Sequence, residues 1–160
     1  MSYLTIKTLH ILSMVLLFGT GLGSAFYKWM ADRQGDLGHI AVINRHVVLA
    51  DTLFTTPTVI FQPISGLWMA HLAGWPLTTP WLAISLALYA LAGLCWLPVV
   101  WLQIRMRALS DQSLAQGCQA LPPSYARLAR CWFWLGVPAF GAMVLVVALM
   151  VAKHLPGAGA

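Results

Sequence analysis

Glutamate is missing from this 160-residue chain, and its four acidic residues are all aspartates: Asp32, Asp36, Asp51 and Asp111. Solvated helical surfaces normally use glutamate freely, so little of the chain faces water. Charged residues make up 8% of the sequence, against about a quarter in soluble domains. Cysteine is equally sparse. Cys95, Cys118 and Cys131 form no C-x-x-C pair, and an odd, scattered set makes no disulfide framework, so all three read as reduced thiols without an assigned role. No phosphate loop, hydrolase triad or zinc-protease motif occurs, which argues against nucleotide use and hydrolysis. There is no internal repeat or low-complexity segment.

What remains is apolar. Hydrophobic residues make up 60% of the chain, the mean hydropathy is +0.79, and eight tryptophans are available to anchor two membrane interfaces. Four stretches are long enough to cross a hydrocarbon core of roughly 30 Å, which takes about 20 helical residues. They run near 5–27, 48–71, 80–103 and 131–153. The first follows Lys7 as a secretory signal would, but it continues through Phe26, Tyr27 and Trp29 and reads as a span. The expectation is an all-α integral membrane protein, residues 1–160 forming one antiparallel four-helix bundle.

The basic residues orient it. Lys28, Arg33, Arg45, Arg105, Arg107, Arg127 and Arg130 fall in the first and third loops, while only Lys7 and Lys153 fall on the other side. This bias places those loops in the cytoplasm and both termini in the periplasm, with the protein in the inner membrane. The net charge of +5 is then explained by topology, and no nucleic-acid role is needed. The loop HLAGWPLTTP is short and uncharged, so spans two and three form a tight hairpin. The long polar stretch from 105 to 130 suggests a short interfacial helix ending before Pro122 and Pro123.

Polar residues within a span turn toward protein or a cavity, because lipid offers them no hydrogen bond. In span two, Asp51, Thr55, Thr58, Gln62 and Ser65 recur at intervals of four and three, which is one helical face, extended outward by Met69. In span three, Ser85, Tyr89, Trp96 and Gln103 share a face. Two such stripes act either as interhelical glue or as the wall of a cofactor or quinone pocket. Asp51 is the one acidic residue at membrane depth, and Lys28, Arg45 or Arg130 is expected to neutralise it. In span one, Gly19 and Gly23 form a G-x-x-x-G pattern, repeated by Gly21 and Ala25, which suits close helix packing or a flat ring.

His10 lies about five residues inside the outer end of span one, roughly 7 Å deep, with Ser13, Met14, Leu17 and Gly21 on its face. Lys7 precedes it by one turn, placed to meet a propionate or a quinone carbonyl. His71 and His154 end spans two and four on the same side, with Met69 and Met150 one turn inward. Imidazole and thioether are ligands for haem iron and for copper. His10 is therefore the candidate metal ligand. Together with His71, His154, Lys7, Met69, Tyr89 and Gln62 it forms the candidate cofactor set. Ser13 or a carbonyl freed by a proline is expected to fix its tautomer. The competing reading is a histidine that only hydrogen-bonds across the bundle.

The stretches KTLHILSMVLLFGTGLGSAFY, FQPISGLWMAHLAGWPL and LCWLPVVWLQIRMR resemble an uncharacterised family of bacterial predicted integral membrane proteins. That resemblance covers essentially the whole chain and implies the four-span class without an activity. KTLHILSMVLLFG is also similar to the first helix of copper-resistance D-type proteins and of haem-associated protoporphyrinogen oxidases. In the latter, a first-helix histidine and a third-helix lysine carry the activity. His10 matches the first, but span three has no lysine. Three functions follow as alternatives: a redox protein holding b-type haem or a quinone; a copper-handling or small-solute permease; or a non-catalytic subunit or assembly factor. The lipid bilayer is the common partner, with other membrane subunits or a second copy of the chain as further candidates.

Overall fold

The computed structural model describes residues 2–153. Four helices account for nearly all of them: α1 (Tyr3–Gln34), α2 (Leu37–Leu72), α3 (Pro80–Ala115) and α4 (Pro123–Ala152). Each is long and apolar enough to cross a membrane. Their outer faces carry large bare apolar side chains; Leu94, Trp134 and Val151 are 69%, 65% and 80% exposed. A soluble protein would not tolerate so much apolar surface, and a bilayer solvates it. The chain is an all-α membrane bundle.

Local chemistry sets the helix ends. The Ser2 hydroxyl accepts from the Thr5 amide at 3.3 Å, and the Asp36 carboxylate caps α2 through the His39 amide at 2.6 Å. Gly35, at φ 76°, closes α1 in the left-handed conformation that a side chain resists. Pro80 and Pro123 open α3 and α4, where a missing N–H costs nothing.

The helices outrun the apolar spans at one end only. α1 continues to Gln34 and α2 begins at Leu37, so the first connection is Gly35 and Asp36 rather than a basic loop of some 20 residues. Similarly, α3 runs unbroken to Ala115, and the separate interfacial helix expected between 105 and 130 does not form. Arginine, lysine and glutamine are good helix formers. Once the span has nucleated the helix, they extend it into the polar zone.

The bundle is made of two helical pairs. α1 packs along α2, and α3 packs along α4. The pairs meet chiefly where Leu37–Ala50 of α2 lies on α3, while the backbones of α1 and α4 scarcely approach and the two helices meet through long side chains. Accordingly there are two separate cores. Ala31, Ile40, Val99, Leu102, Met106, Tyr125 and Trp132 fill the end with the basic residues. Ala70, Trp81, Leu82 and Leu149 fill the other. The space between them is unfilled.

Candidate functional site

The midpoint of α2 departs from α-helical winding over Asp51–Thr55, where the turn widens to a π-helix. Pro57 supplies the cause. Its ring excludes the carbonyl of the residue four positions earlier, Leu53, and it has no N–H to offer. The wider turn lets the Thr56 amide reach the Asp51 carbonyl, and the Thr58 hydroxyl takes up the Phe54 carbonyl at 2.7 Å. Such insertions recur at functional sites because they redirect a side chain. Here the redirected residue is Asp51. It is 6% exposed, and one of its oxygens accepts from the Thr55 hydroxyl at 2.8 Å.

No cation neutralises Asp51 among the described residues, contrary to the ion pair expected from sequence. Lys28 is committed to Asp32 and Arg45 to Asp111, and Arg130 pairs with neither. An acidic side chain at membrane depth with no counter-charge is the kind of group that marks a ligand or proton site.

A second proline sets the next feature. Pro63 cannot donate to the Val59 carbonyl, and the Tyr89 hydroxyl of α3 fills the vacancy at 2.6 Å. This bond ties the helical pairs across the bundle and occupies the Tyr89 proton.

Between the pairs lies a cavity of about 450 Å³, within the size range of small-molecule sites. Leu17, Phe18, Leu22, Phe133, Val137 and Phe140 form its apolar walls, and Asp51, Thr55, Tyr89 and Gln103 supply polar atoms. The gap between α1 and α4 is its mouth. Leu22, Phe133, Val137 and Phe140 are 56%, 45%, 50% and 38% exposed there, and the Phe18 and Phe140 rings meet edge-on at 5.4 Å across it. The cleft is thus open to the bilayer rather than to water.

Glycines make the room. A Cβ built on Gly21, Gly93, Gly136 or Gly141, all of which line the cleft, meets nothing within 4 Å. Gly19 and Gly23 are equally free of neighbours, so the G-x-x-x-G pattern does not hold helices together within this chain. Two residues of the lining each carry a polar atom that is enclosed by protein and has no partner. The Gln103 Oε1 acceptor and the Trp132 Nε1 donor are buried without a partner, in residues 5% and 7% exposed. Buried polar atoms are normally paired, so each of these has an unmet demand.

His10 lies elsewhere. Its Nδ1 is 2.7 Å from the Ser65 hydroxyl, and its backbone carbonyl accepts from Gln62 Nε2 at 2.9 Å. Ser65 gives its proton to the Phe61 carbonyl at 2.7 Å, so the arrangement that satisfies both bonds has His10 Nδ1–H donating and the Nε2 lone pair free. Ser13, expected to orient His10, instead has an unpaired hydroxyl. Ser65, four turns along the polar stripe of α2, takes that place. Thr58, Gln62 and Ser65 are buried along with Asp51 and Thr55, but Gln62 and Ser65 bind α1 and do not line the cleft. Lys7 and His71 are exposed, Met69 and Met150 are half-buried, and His154 lies outside the described residues. No group of three or more His, Cys, Asp or Glu able to hold a metal occurs among the described residues.

One polar cluster is invisible in the sequence. Lys28, 1% exposed, donates to Asp32 Oδ2 at 2.9 Å, Asn44 Oδ1 at 3.0 Å and the Tyr125 hydroxyl at 2.9 Å. Tyr125 passes its proton to Asp32 Oδ1 at 2.7 Å, and Asn44 Nδ2 reaches the Ser110 hydroxyl at 3.1 Å. The ammonium also sits 5.4 Å from the centre of the Trp132 ring. Residues from α1, α2 and α4 meet at this one cation, and Asn44 links it to Ser110 of α3. By sequence Lys28 reads as a loop charge, and only the spacing of Lys28 and Asp32 hints at a pair.

No curated protein and no solved structure matches the chain. A family model does, over residues 4–154, and it accounts for the four apolar helices and for nothing chemical. The chain belongs to the family of predicted integral membrane proteins designated DUF2269.

Proposed function

We propose that this protein takes a lipid-soluble ring compound of the quinone class from the bilayer into the cleft between its two helical pairs. The carrying observation is the cleft itself: apolar walls, a mouth between α1 and α4, and a polar end built from Asp51, Thr55 and Gln103. A ligand from lipid has to enter sideways, and the space between α1 and α4, whose backbones scarcely approach, provides the route. A flat ring with a polar edge and an apolar tail matches this division of surface. By the basic-residue bias, the protein lies in the inner membrane with both termini periplasmic, and the polar end of the cleft is nearer the cytoplasmic face.

Trp132 borders the cleft, so binding is readable by fluorescence. Purified protein titrated with a short-chain benzoquinone is expected to show saturable quenching. Gly93→Leu and Gly136→Leu fill the cleft where a side chain meets no neighbour, and each is expected to abolish the saturable phase with the fold intact by circular dichroism. Quenching that never saturates, or that is unchanged in both variants, overturns the proposal.

A second reading keeps b-type haem or copper at His10. It is favoured by the imidazole geometry: Ser65 holds Nδ1 and leaves Nε2 as a free lone pair, which is how a metal-ligating histidine is oriented.

A further inference from the structure

Asp51 is the one acidic residue bordering the cleft, and no lysine, arginine or histidine borders it. Its neighbours, the Thr55 hydroxyl at 2.8 Å and the Gln103 side chain, are both neutral. They hold a carboxylate in place without compensating its charge. The same lining contains the rings of Phe18, Tyr89, Trp132, Phe133 and Phe140, whose π faces attract a cation and offer an anion nothing comparable. The other ionisable groups nearby are already engaged. Lys28 sits behind the Trp132 ring, bound to Asp32. Tyr89, the second titratable group of the lining, has its hydroxyl on the Val59 carbonyl. α1 and α4 add no titratable side chain to the lining.

We propose that the cleft binds a lipophilic cation, an ammonium or phosphonium carrying aromatic or alkyl groups, drawn from the bilayer and held by Asp51. A charge acts across a cleft of this size without the atom-by-atom register that a hydrogen bond requires, and apolar walls do little to screen it. A cation arriving from lipid has already left water, so its attraction to the carboxylate is not offset by a fresh desolvation of the ligand. An ionised Asp51 takes the cation directly. A protonated Asp51 releases its proton to the aqueous phase as the cation enters, one positive charge replacing another. In both cases proton and cation compete for one carboxylate, so binding weakens as the pH falls. At an effective dielectric of about 20, a unit charge held even about 8 Å from the carboxylate gains tenfold or more in affinity. The proposal does not rest on the quinone-class reading, and the two kinds of ligand exclude one another from one cavity.

Equilibrium dialysis of labelled tetraphenylphosphonium against the full chain in a nonionic detergent decides it. Tetraphenylborate, alike in size and shape but of opposite charge, controls for uptake by detergent and apolar surface. Saturable binding of the phosphonium and not of the borate is expected, weaker at acid than at alkaline pH. Asp51→Asn keeps the shape of the side chain and removes its charge, and is expected to lower phosphonium affinity tenfold or more with helical circular dichroism unchanged. Asp51→Glu restores a carboxylate and is expected to recover most of that loss. No saturable binding of the phosphonium, saturable binding of both ions alike, or an affinity unaltered in Asp51→Asn overturns the inference. None of these results touches the quinone-class reading, which stands or falls on the benzoquinone titration.

Discussion

Replacing Lys28 with methionine removes one cation and tests how the basic end of the bundle is held. The Nζ atom makes three hydrogen bonds, and their loss falls unequally. Asn44 Oδ1 loses its one short partner, since the Tyr125 hydroxyl is 3.4 Å from it. A buried acceptor left unmet costs about 1–3 kcal/mol. Asp32 keeps its bond from Tyr125 and is 20% exposed, so water recovers part of what it loses, and its share is roughly 1 kcal/mol. Against this, the variant no longer has to desolvate an ammonium, and methionine fills the space with apolar contact. The balance is a destabilisation of about 2–3 kcal/mol.

Asp32→Asn perturbs the same pair from the other side and should cost more. It leaves the ammonium, 1% exposed, in place without its counter-charge, a situation that costs about 3–5 kcal/mol. The double variant Lys28→Met with Asp32→Asn should therefore be more stable than Asp32→Asn alone. Detergent-solubilised protein followed by intrinsic tryptophan fluorescence on heating measures all three; a shift of roughly 2–4 °C is expected per kcal/mol for a chain of this size. If Lys28→Met melts with the wild type, or if Asp32→Asn is the milder substitution, the cation does not clamp this end of the bundle.

Topology can be read from a native thiol. Cys118, exposed in the α3–α4 connection, should resist a membrane-impermeant maleimide in intact cells of a background lacking Cys95 and Cys131, while Thr78→Cys in the α2–α3 connection should label; the opposite result reverses the orientation. His10→Ala loses the bond to Ser65 and should cost about 0.6–1 kcal/mol, the usual worth of an interhelical hydrogen bond in a membrane. If His10 ligates haem, protein expressed with ample haem shows a Soret band that this substitution removes; no band, or a band unchanged by it, excludes haem ligation by His10.

Hydropathy alone locates the four helices, because an unbroken apolar run near 20 residues seldom folds as anything but a membrane span. Their polar extensions are a different matter. Arg105 to Gln112 in sequence looks like a loop, and nothing local says that Lys28 will sit under Trp132 or that Asn44 and Tyr125 will converge on it from 16 and 97 residues away. The polar stripe of α2 is visible as a period, yet the period does not divide it. Asp51 and Thr55, within the wide turn, face the cleft, while Gln62 and Ser65 beyond it face α1. Glycine spacing is ambiguous for a physical reason. A missing side chain permits either a close backbone or an empty volume, and only the neighbouring helix decides which.

The two cores and the empty middle also bear on selectivity. The Lys28 cluster and the contacts around Trp132 hold one end of the bundle, and Ala70, Trp81, Leu82 and Leu149 hold the other, so the cleft can stay unfilled without the pairs separating. In the bilayer such a volume does not stay empty, because acyl chains can enter through the gap between α1 and α4. An apolar wall then gains almost nothing by exchanging a lipid tail for a ring or an isoprenoid tail of similar area, since lipid is already as apolar as leucine. On the quinone-class reading, Phe133, Val137 and Phe140 form the entrance but cannot choose what enters. Choice has to come from the polar end of the cleft, where Asp51, Thr55 and Gln103 interrupt an otherwise apolar lining.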